Sequence, residues 1–255
     1  MIWADKDGQK IKATPKEKAE CPLCSSELVS KCGSIKQWHW SHKHNKDCDD
    51  WYEPESEWHI NWKNEFSIEQ QEVTIGSHRA DIFSRGTVIE LQNSPLSSDK
   101  IIEREKHYGL MIWLLNGKTL AKGLCLRNKK EIITFRWKHP PKSWGSANKQ
   151  IYIDVNFLSK NAEKEYNKIK LKPDDENCGV MVKDVWEEEY GNGEVYKKSQ
   201  MVMIDKSFGE FKKEYLNARA KYKNKIFYIK KLYNNIPCGG YGELITKEEF
   251  LRRFK

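Results

Sequence analysis

Residues 78–92 read His-Arg-Ala-Asp-Ile-Phe-Ser, Arg-Gly, Thr-Val-Ile-Glu-Leu-Gln: two strand-like segments on either side of a glycine-containing dipeptide. Alternation of apolar and polar side chains is the period of a strand, and two residues are the length of a tight hairpin loop. With Arg85-Gly86 as that loop, Asp81 stands directly opposite Glu90 and Arg79 opposite Gln92. Facing β carbons lie roughly 4.5–5.5 Å apart, so two ionised carboxylates there repel unless they share a proton or hold a divalent cation. The same alternation puts Ala80, Ile82, Ile89 and Leu91 on the opposite, core face. Arg-Gly is an imperfect sequence for such a turn, and a one-residue slip would send one carboxylate to the wrong face. The competing reading leaves Asp81 and Glu90 as surface charges on an edge hairpin.

Paired acids and a hard cation suit phosphodiester hydrolysis. Mg²⁺ or Mn²⁺ on one or two carboxylates acidifies an attacking water and neutralises charge developing on phosphate. Upstream, Glu55 to Phe66 has helical spacing, with Trp58, Trp62 and Phe66 four apart. Glu55, His59 and Lys63 recur at the same interval, so one helix face aims Glu55 at the cation and His59 or Lys63 at phosphate, or else forms a salt-bridged surface.

Residues 21–48 are dense in Cys, His and Trp and short of aliphatic residues, which suits a module organised by a metal. Cys21-Pro22-Leu23-Cys24 and His39-Trp40-Ser41-His42 supply four zinc ligands, Cys21, Cys24, His39 and His42. The two histidines are closer than in most fingers, so Cys32, His44 or Cys48 is an alternative to one of them. Of seven cysteines, Cys125, Cys178 and Cys238 are scattered and read as core thiols.

Lys and Arg number 45 against 37 Asp and Glu, a net +8 that favours a polyanionic partner such as DNA. No apolar run approaches the roughly 18–20 residues that span a bilayer, and Met1 to Lys12 is charged, so a cytoplasmic location is expected. Beyond Pro140-Pro141 the signals weaken. Gln150 to Phe157 alternates like a strand, and residues 208–222 have helical spacing. A basic stretch with interleaved aromatics, residues 219–231, offers Lys221, Lys223 and Lys225 to a phosphate backbone, or is a solvated face.

The order in which these motifs occur is more specific than any one of them. Trp3-Ala4 with Asp7-Gly8, the Cys and His pairs, Glu55-Ser56 with His59 and Lys63, Arg79–Ile82, Ile89–Gln92 with Ser94, Arg104 with Tyr108, and Ile112-Trp113 run through residues 1–115. This set resembles the competence-protein CoiA-like nucleases, a branch of the PD-(D/E)XK restriction-endonuclease superfamily. The resemblance implies an α/β (α+β) fold: a restriction-endonuclease-like mixed sheet flanked by helices, preceded by a zinc module and followed by an accessory α+β region. The corresponding divisions are 1–50, 51–140 and 141–255. It also implies that Asp81, Glu90 and Glu55 bind the catalytic metal and that Gln92 takes the usual lysine position. Candidate nucleic-acid contacts are Arg79, Ser94, Arg104 and the three lysines. The expected activity is metal-dependent cleavage of DNA, in DNA uptake and recombination or in mobile-element or phage-defence settings. A non-catalytic zinc-containing DNA-binding protein, or a subunit activated by a protein partner docked on the last third, is the rival reading.

Overall fold

A computed structural model describes residues 1–34, 37–44, 48–51, 53–129, 132–160, 171–173, 180–189, 195–204, 213, 216–217, 220–234 and 236–255. Contacts divide the chain into two compact units, Met1–Asp154 with Ile226–Lys255, and Val155–Lys225.

The first unit opens with a five-stranded antiparallel sheet of β1 (Trp3–Lys6), β2 (Gln9–Lys12), β3 (Lys18–Glu20), β4 (Glu27–Lys31) and β5 (His39–His42), in the order β2-β1-β3-β4-β5. Asp7 and Gly8 both have positive φ, so the Asp-Gly dipeptide forms the tight β1–β2 turn. Ala4, Leu28 and Trp40 are fully buried between the strands, a small core for so short a segment.

A nine-stranded mixed sheet follows. Its strands are β6 (Gln71–Ile75), β7 (His78–Ser84), β8 (Thr87–Gln92), β9 (Met111–Asn116), β10 (Leu124–Lys129), β11 (Ile132–Trp137), β12 (Gln150–Asp154), β16 (Lys225–Tyr233) and β17 (Ile236–Thr246). Their order is β10-β11-β17-β16-β12-β9-β8-β7-β6. β9 runs parallel to both β8 and β12, and the remaining pairs whose register is resolved are antiparallel. The helices are α1 (Glu57–Lys63), α2 (Ser98–Tyr108), α3 (Gly117–Leu120) and the terminal α5 (Lys247–Phe254), with α4 (Phe157–Lys160) in the second unit. α2 is the crossover that makes β8 and β9 parallel. Ser97 caps its first turn and Gly109, at φ +64, ends it. No helix among the described residues is long and apolar enough to cross a membrane.

The expected accessory region 141–255 is divided: β12, β16, β17 and α5 belong to the first unit, where the strands complete the central sheet, and Val155–Lys225 forms the second unit. The core joins Trp62 and Phe66 to Ile82, Ile89 and Leu91 of the hairpin, Ile112 and Leu114 of β9, and Tyr152, Ile226, Ile245 and Phe250 from beyond residue 141. Asp154 at the end of β12 accepts hydrogen bonds from Trp58 Nε1 (2.9 Å) and Trp62 Nε1 (3.1 Å), which seats α1 on the sheet.

The second unit contains a three-stranded sheet, β13 (Leu171–Pro173), β14 (Val180–Glu189) and β15 (Val195–Ile204). Residues 213, 216, 217 and 220 are helical, whereas residues 208–212, 214, 215, 218 and 219 of the expected helix, the last also in the basic stretch, and Cys178 lie outside the described residues. Cys125 and Cys238 are exposed, so neither is a core thiol.

Candidate active site and metal centre

The hairpin forms in the expected register: Ile82 faces Ile89, Phe83 faces Val88 and Ser84 faces Thr87. Arg85 and Gly86 have φ of +48° and +75°, the backbone of a type I′ turn. At the next step the carboxylates reach the backbone: Leu91 N donates to Asp81 Oδ2 (3.0 Å) and Asp81 N to Glu90 Oε1 (3.4 Å).

Asp81 and Glu90 wall a cavity of about 40 Å³ together with Asp49, Glu53, Glu55 and Glu72, so six carboxylates share the lining with three cations, Lys63, Arg79 and Arg104. Lys63, fully buried on α1, approaches Glu55 (2.5 Å), Asp81 (3.0 Å) and Glu72 (3.1 Å). Three carboxylates thus take the ammonium's three protons. Lys63 therefore neutralises the site and has no proton committed to a phosphate. Arg104, expected as a DNA contact, is buried instead: it donates to Glu90 Oε2 (3.1 Å) and to Trp51 O (2.9 Å). Its place on the inner face of α2, with Glu105 and Tyr108 also buried, explains the difference.

Ser56 caps α1, so Glu55 precedes the helix, although it still reaches Lys63. His59 does not aim at a ligand. It is buried, its Nε2 donates to Leu91 O (3.1 Å), and its Nδ1 accepts from Ser56 N (3.3 Å), closing a capping box. Gln92, fully buried, donates through Nε2 to Glu53 Oε1 and to Ser94 O (2.8 Å), while Ser94 Oγ donates to the same Glu53 oxygen (2.7 Å). Arg79 is half-buried at the cavity wall. Lys221 and Lys223 are exposed and Lys225 half-buried in the second unit.

These surroundings push the two hairpin acids apart. Burial, reinforced by the charge of Asp81 and opposed by Arg104, raises Glu90 to about 7. Burial also acts upward on Asp81, but the Lys63 ammonium outweighs it and holds Asp81 below its usual range. Glu55 is raised by burial against the pull of Lys63, and Glu72 is held far below the carboxylate range because Lys63 overcomes its burial. Near neutrality, one ionised acid beside one that holds its proton is the pattern by which carboxylates divide base and acid roles.

Glu72 carries no signal in the sequence that marks it. It has a left-handed φ of +46°, rare for a side chain of its kind. Its two oxygens accept from Ile2 N (3.0 Å each), and Oε2 also from Trp3 N (3.1 Å), so one buried acid pins the N-terminal sheet beside the cavity.

Cys21, Cys24, His42 and Cys48 form the N-terminal ligand cluster, all four donor atoms lying within 4.8 Å of one another. Cys21 Sγ and Cys48 Sγ are 3.6 Å apart, and Cys24 Sγ is 3.3 Å from His42 Nε2. Ligand bonds of roughly 2.3 Å to sulfur and 2.0 Å to nitrogen put tetrahedral vertices about 3.5–3.8 Å apart, so the cluster fits a tetrahedral metal. His39 is not part of it. His39 and His42 are three apart on β5 and therefore face opposite sides of the sheet, and His39 Nδ1 contacts Gln37 O (2.9 Å). Cys48 takes that place, while Cys32 packs at the edge of the small core and His44 is exposed. Burial acts upward on the Cys24 thiol, but hydrogen bonding with Ser26, His42 and Cys48 lowers it to about 6.

Asp49, Asp50 and His78 make the other such grouping among the described residues. Asp49 is already occupied there by His78 Nδ1 (2.9 Å), Arg79 N (2.9 Å) and Trp51 N (3.0 Å). Asp81, Glu90 and Glu55 do not form a comparably tight group, because Lys63 lies between Glu55 and Asp81.

A mixed α/β protein with a Cys₃His module ahead of an acid-lined cavity is the class that this fold and these sites define. Residues 4–50 match the family model for the competence protein CoiA, N-terminal domain, so the N-terminal module is similar to that domain. No curated protein and no solved structure matches the chain.

Proposed function

We propose that the protein is a divalent-metal-dependent nuclease that hydrolyses DNA phosphodiester bonds, in the DNA uptake and recombination suggested by its CoiA-like module. One observation carries this reading: six carboxylates converge with only three cationic side chains on a cavity the size of an ion and its water. Glu55 Oε2 is buried there without a hydrogen-bond partner, as expected of an oxygen that a cation satisfies. Mg²⁺ or Mn²⁺ bound at Asp81, Glu90 and Glu55 would supply Lewis acidity, making water more acidic and offsetting charge on phosphate. Asp81, held ionised by Lys63, binds and orients. Glu90, whose proton affinity is raised by burial and by Asp81, would release its proton on binding the cation, and Arg104 keeps its carboxylate in place. Zn²⁺ suits Cys21, Cys24, His42 and Cys48 as a closed structural site.

The rival is a scaffold that binds DNA without cutting it, or cuts only with a partner. It is favoured by the ion pairs Lys63–Asp81 and Arg104–Glu90, which already compensate the hairpin acids. Incubating the protein with circular single-stranded and supercoiled double-stranded DNA in Mg²⁺, Mn²⁺ or EDTA decides between them. Cleavage that needs the metal and disappears in Glu90→Gln supports hydrolysis. Metal-independent binding without cleavage supports the rival.

A further inference from the structure

We propose that Glu53 is a further cation-binding carboxylate of this site and that Gln92 is its positioning residue; the inference rests on the metal-dependent reading above. Glu53 lies in the extended segment just before the Ser56 cap and lines the same cavity as Glu55, Asp81 and Glu90. Gln92 Nε2 and Ser94 Oγ both donate to its Oε1. Oε1 is thereby fixed from two sides, while Oε2 accepts no hydrogen bond from the described residues and remains the ligand oxygen.

The chemistry of Gln92 explains why an amide stands at this position. Both of its protons are committed, to Glu53 Oε1 and to Ser94 O, so none remains for a phosphate or a water. Its action on the reaction therefore passes through Glu53. A lysine on the same strand position would also orient Glu53, but would cancel its charge; an amide fixes the carboxylate and leaves it fully anionic for a divalent, oxygen-preferring cation. Flipping the amide would set Gln92 Oε1 against the Glu53 carboxylate, so the NH₂ end faces Glu53, and Oε1 is buried without a hydrogen-bond partner.

The test is Mn²⁺ binding to the full chain, read by electron paramagnetic resonance, for wild type, Asp81→Asn, Glu53→Gln, Gln92→Lys and Ser94→Ala. Glu53→Gln and Gln92→Lys are expected to raise the Mn²⁺ dissociation constant about 10- to 100-fold, the range seen when ligand-supporting groups are lost, and Ser94→Ala by less. Circular dichroism checks that each variant is folded, and Ser94→Ala keeps the test open if Glu53→Gln is not. Wild-type affinity in both Glu53→Gln and Ser94→Ala, alongside loss in Asp81→Asn, would overturn the role of Glu53 and leave the metal site standing. Equal Mn²⁺ binding by wild type and Asp81→Asn would remove the site itself, and this inference with it.

Discussion

Replacing Lys63 with methionine keeps the aliphatic stem and removes one buried charge, which leaves Glu55, Glu72 and Asp81 facing each other without their common partner. Lys63 and Glu72 are almost wholly buried and Asp81 less than a quarter exposed, so solvent screening relieves little of the repulsion. Removing one member of a buried ion pair costs about 3–5 kcal/mol, and three acids depend on this one. The loss depends on pH with a definite sign. Lys63 lowers Asp81 and Glu72, so their contribution is present above the unfolded carboxylate range and disappears as pH falls through their folded values. In Lys63→Met those acids take up protons instead of ionising, so the difference between variant and wild type is largest near pH 8 and shrinks toward pH 5. Urea unfolding followed by tryptophan fluorescence measures it: a slope of roughly 3 kcal/mol/M turns the loss into a midpoint shift of about 1–2 M at pH 8. Under the proposed function, Mg²⁺ at about 100 times its dissociation constant would restore up to about 2.7 kcal/mol. A loss below about 1 kcal/mol at pH 8, or one independent of pH, refutes the buried cluster.

The raised Glu90 gives the opposite slope: its protonated form is the stable one, so its contribution is present below pH 4.5 and lost as pH rises through about 7. Glu90→Gln, which cannot ionise, is expected to flatten the fall of stability between those limits, by up to about 3 kcal/mol, in urea titrations at stepped pH. For the N-terminal cluster, metal content by mass spectrometry should fall in Cys21→Ser and Cys48→Ser and stay at the wild-type level in His39→Ala, and a chelator should lower the melting temperature of wild type. Gly242→Ala brings a β carbon 2.1 Å from Tyr228 O across β16 and β17, so it is expected to destabilise by several kcal/mol in the same urea assay, beyond the roughly 1–3 kcal/mol of ordinary overpacking.

What was legible in the sequence is what local periodicity determines. The 78–92 hairpin has a period of two and a two-residue loop, so its register and core face could be worked out from neighbours in sequence, and Ile82, Ile89 and Leu91 are buried as expected. The same rule, applied to His39-Trp40-Ser41-His42 as a strand, separates the two histidines but does not choose among Cys32, His44 and Cys48; the fold brings in Cys48. Arg104 is different. Its reach to Glu90 depends on α2 crossing over the sheet, and no spacing in the chain gives that. Glu72, Glu53 and Asp49 are ordinary surface acids by sequence and become site residues only when β6, the Ser56 approach and the end of the N-terminal module meet. β16 and β17 escaped notice because lysines and glycines interrupt their alternation; Gly240 and Gly242 are there for close approach to Lys231 O and Tyr228 O.

The distribution of charge bears on how the polyanion of the proposed function would approach the cavity. The chain carries +8 overall, yet the side chains around the cavity include twice as many acids as cations, so everything outside the cavity is more basic than the total. A polyanion is drawn to such a surface from a distance and is repelled where the acids converge. Lys63 and Arg104 cannot relieve that repulsion by turning toward a phosphate, because both are buried and held by Asp81, Glu72, Glu55 and Glu90. Three lining cations, Arg79 among them, do not balance six carboxylates, so on the proposed reading close approach of a phosphate to Asp81 and Glu90 would require further positive charge. A divalent cation on the surplus carboxylates would meet that requirement, so under the proposed function substrate access and metal binding would be one electrostatic condition.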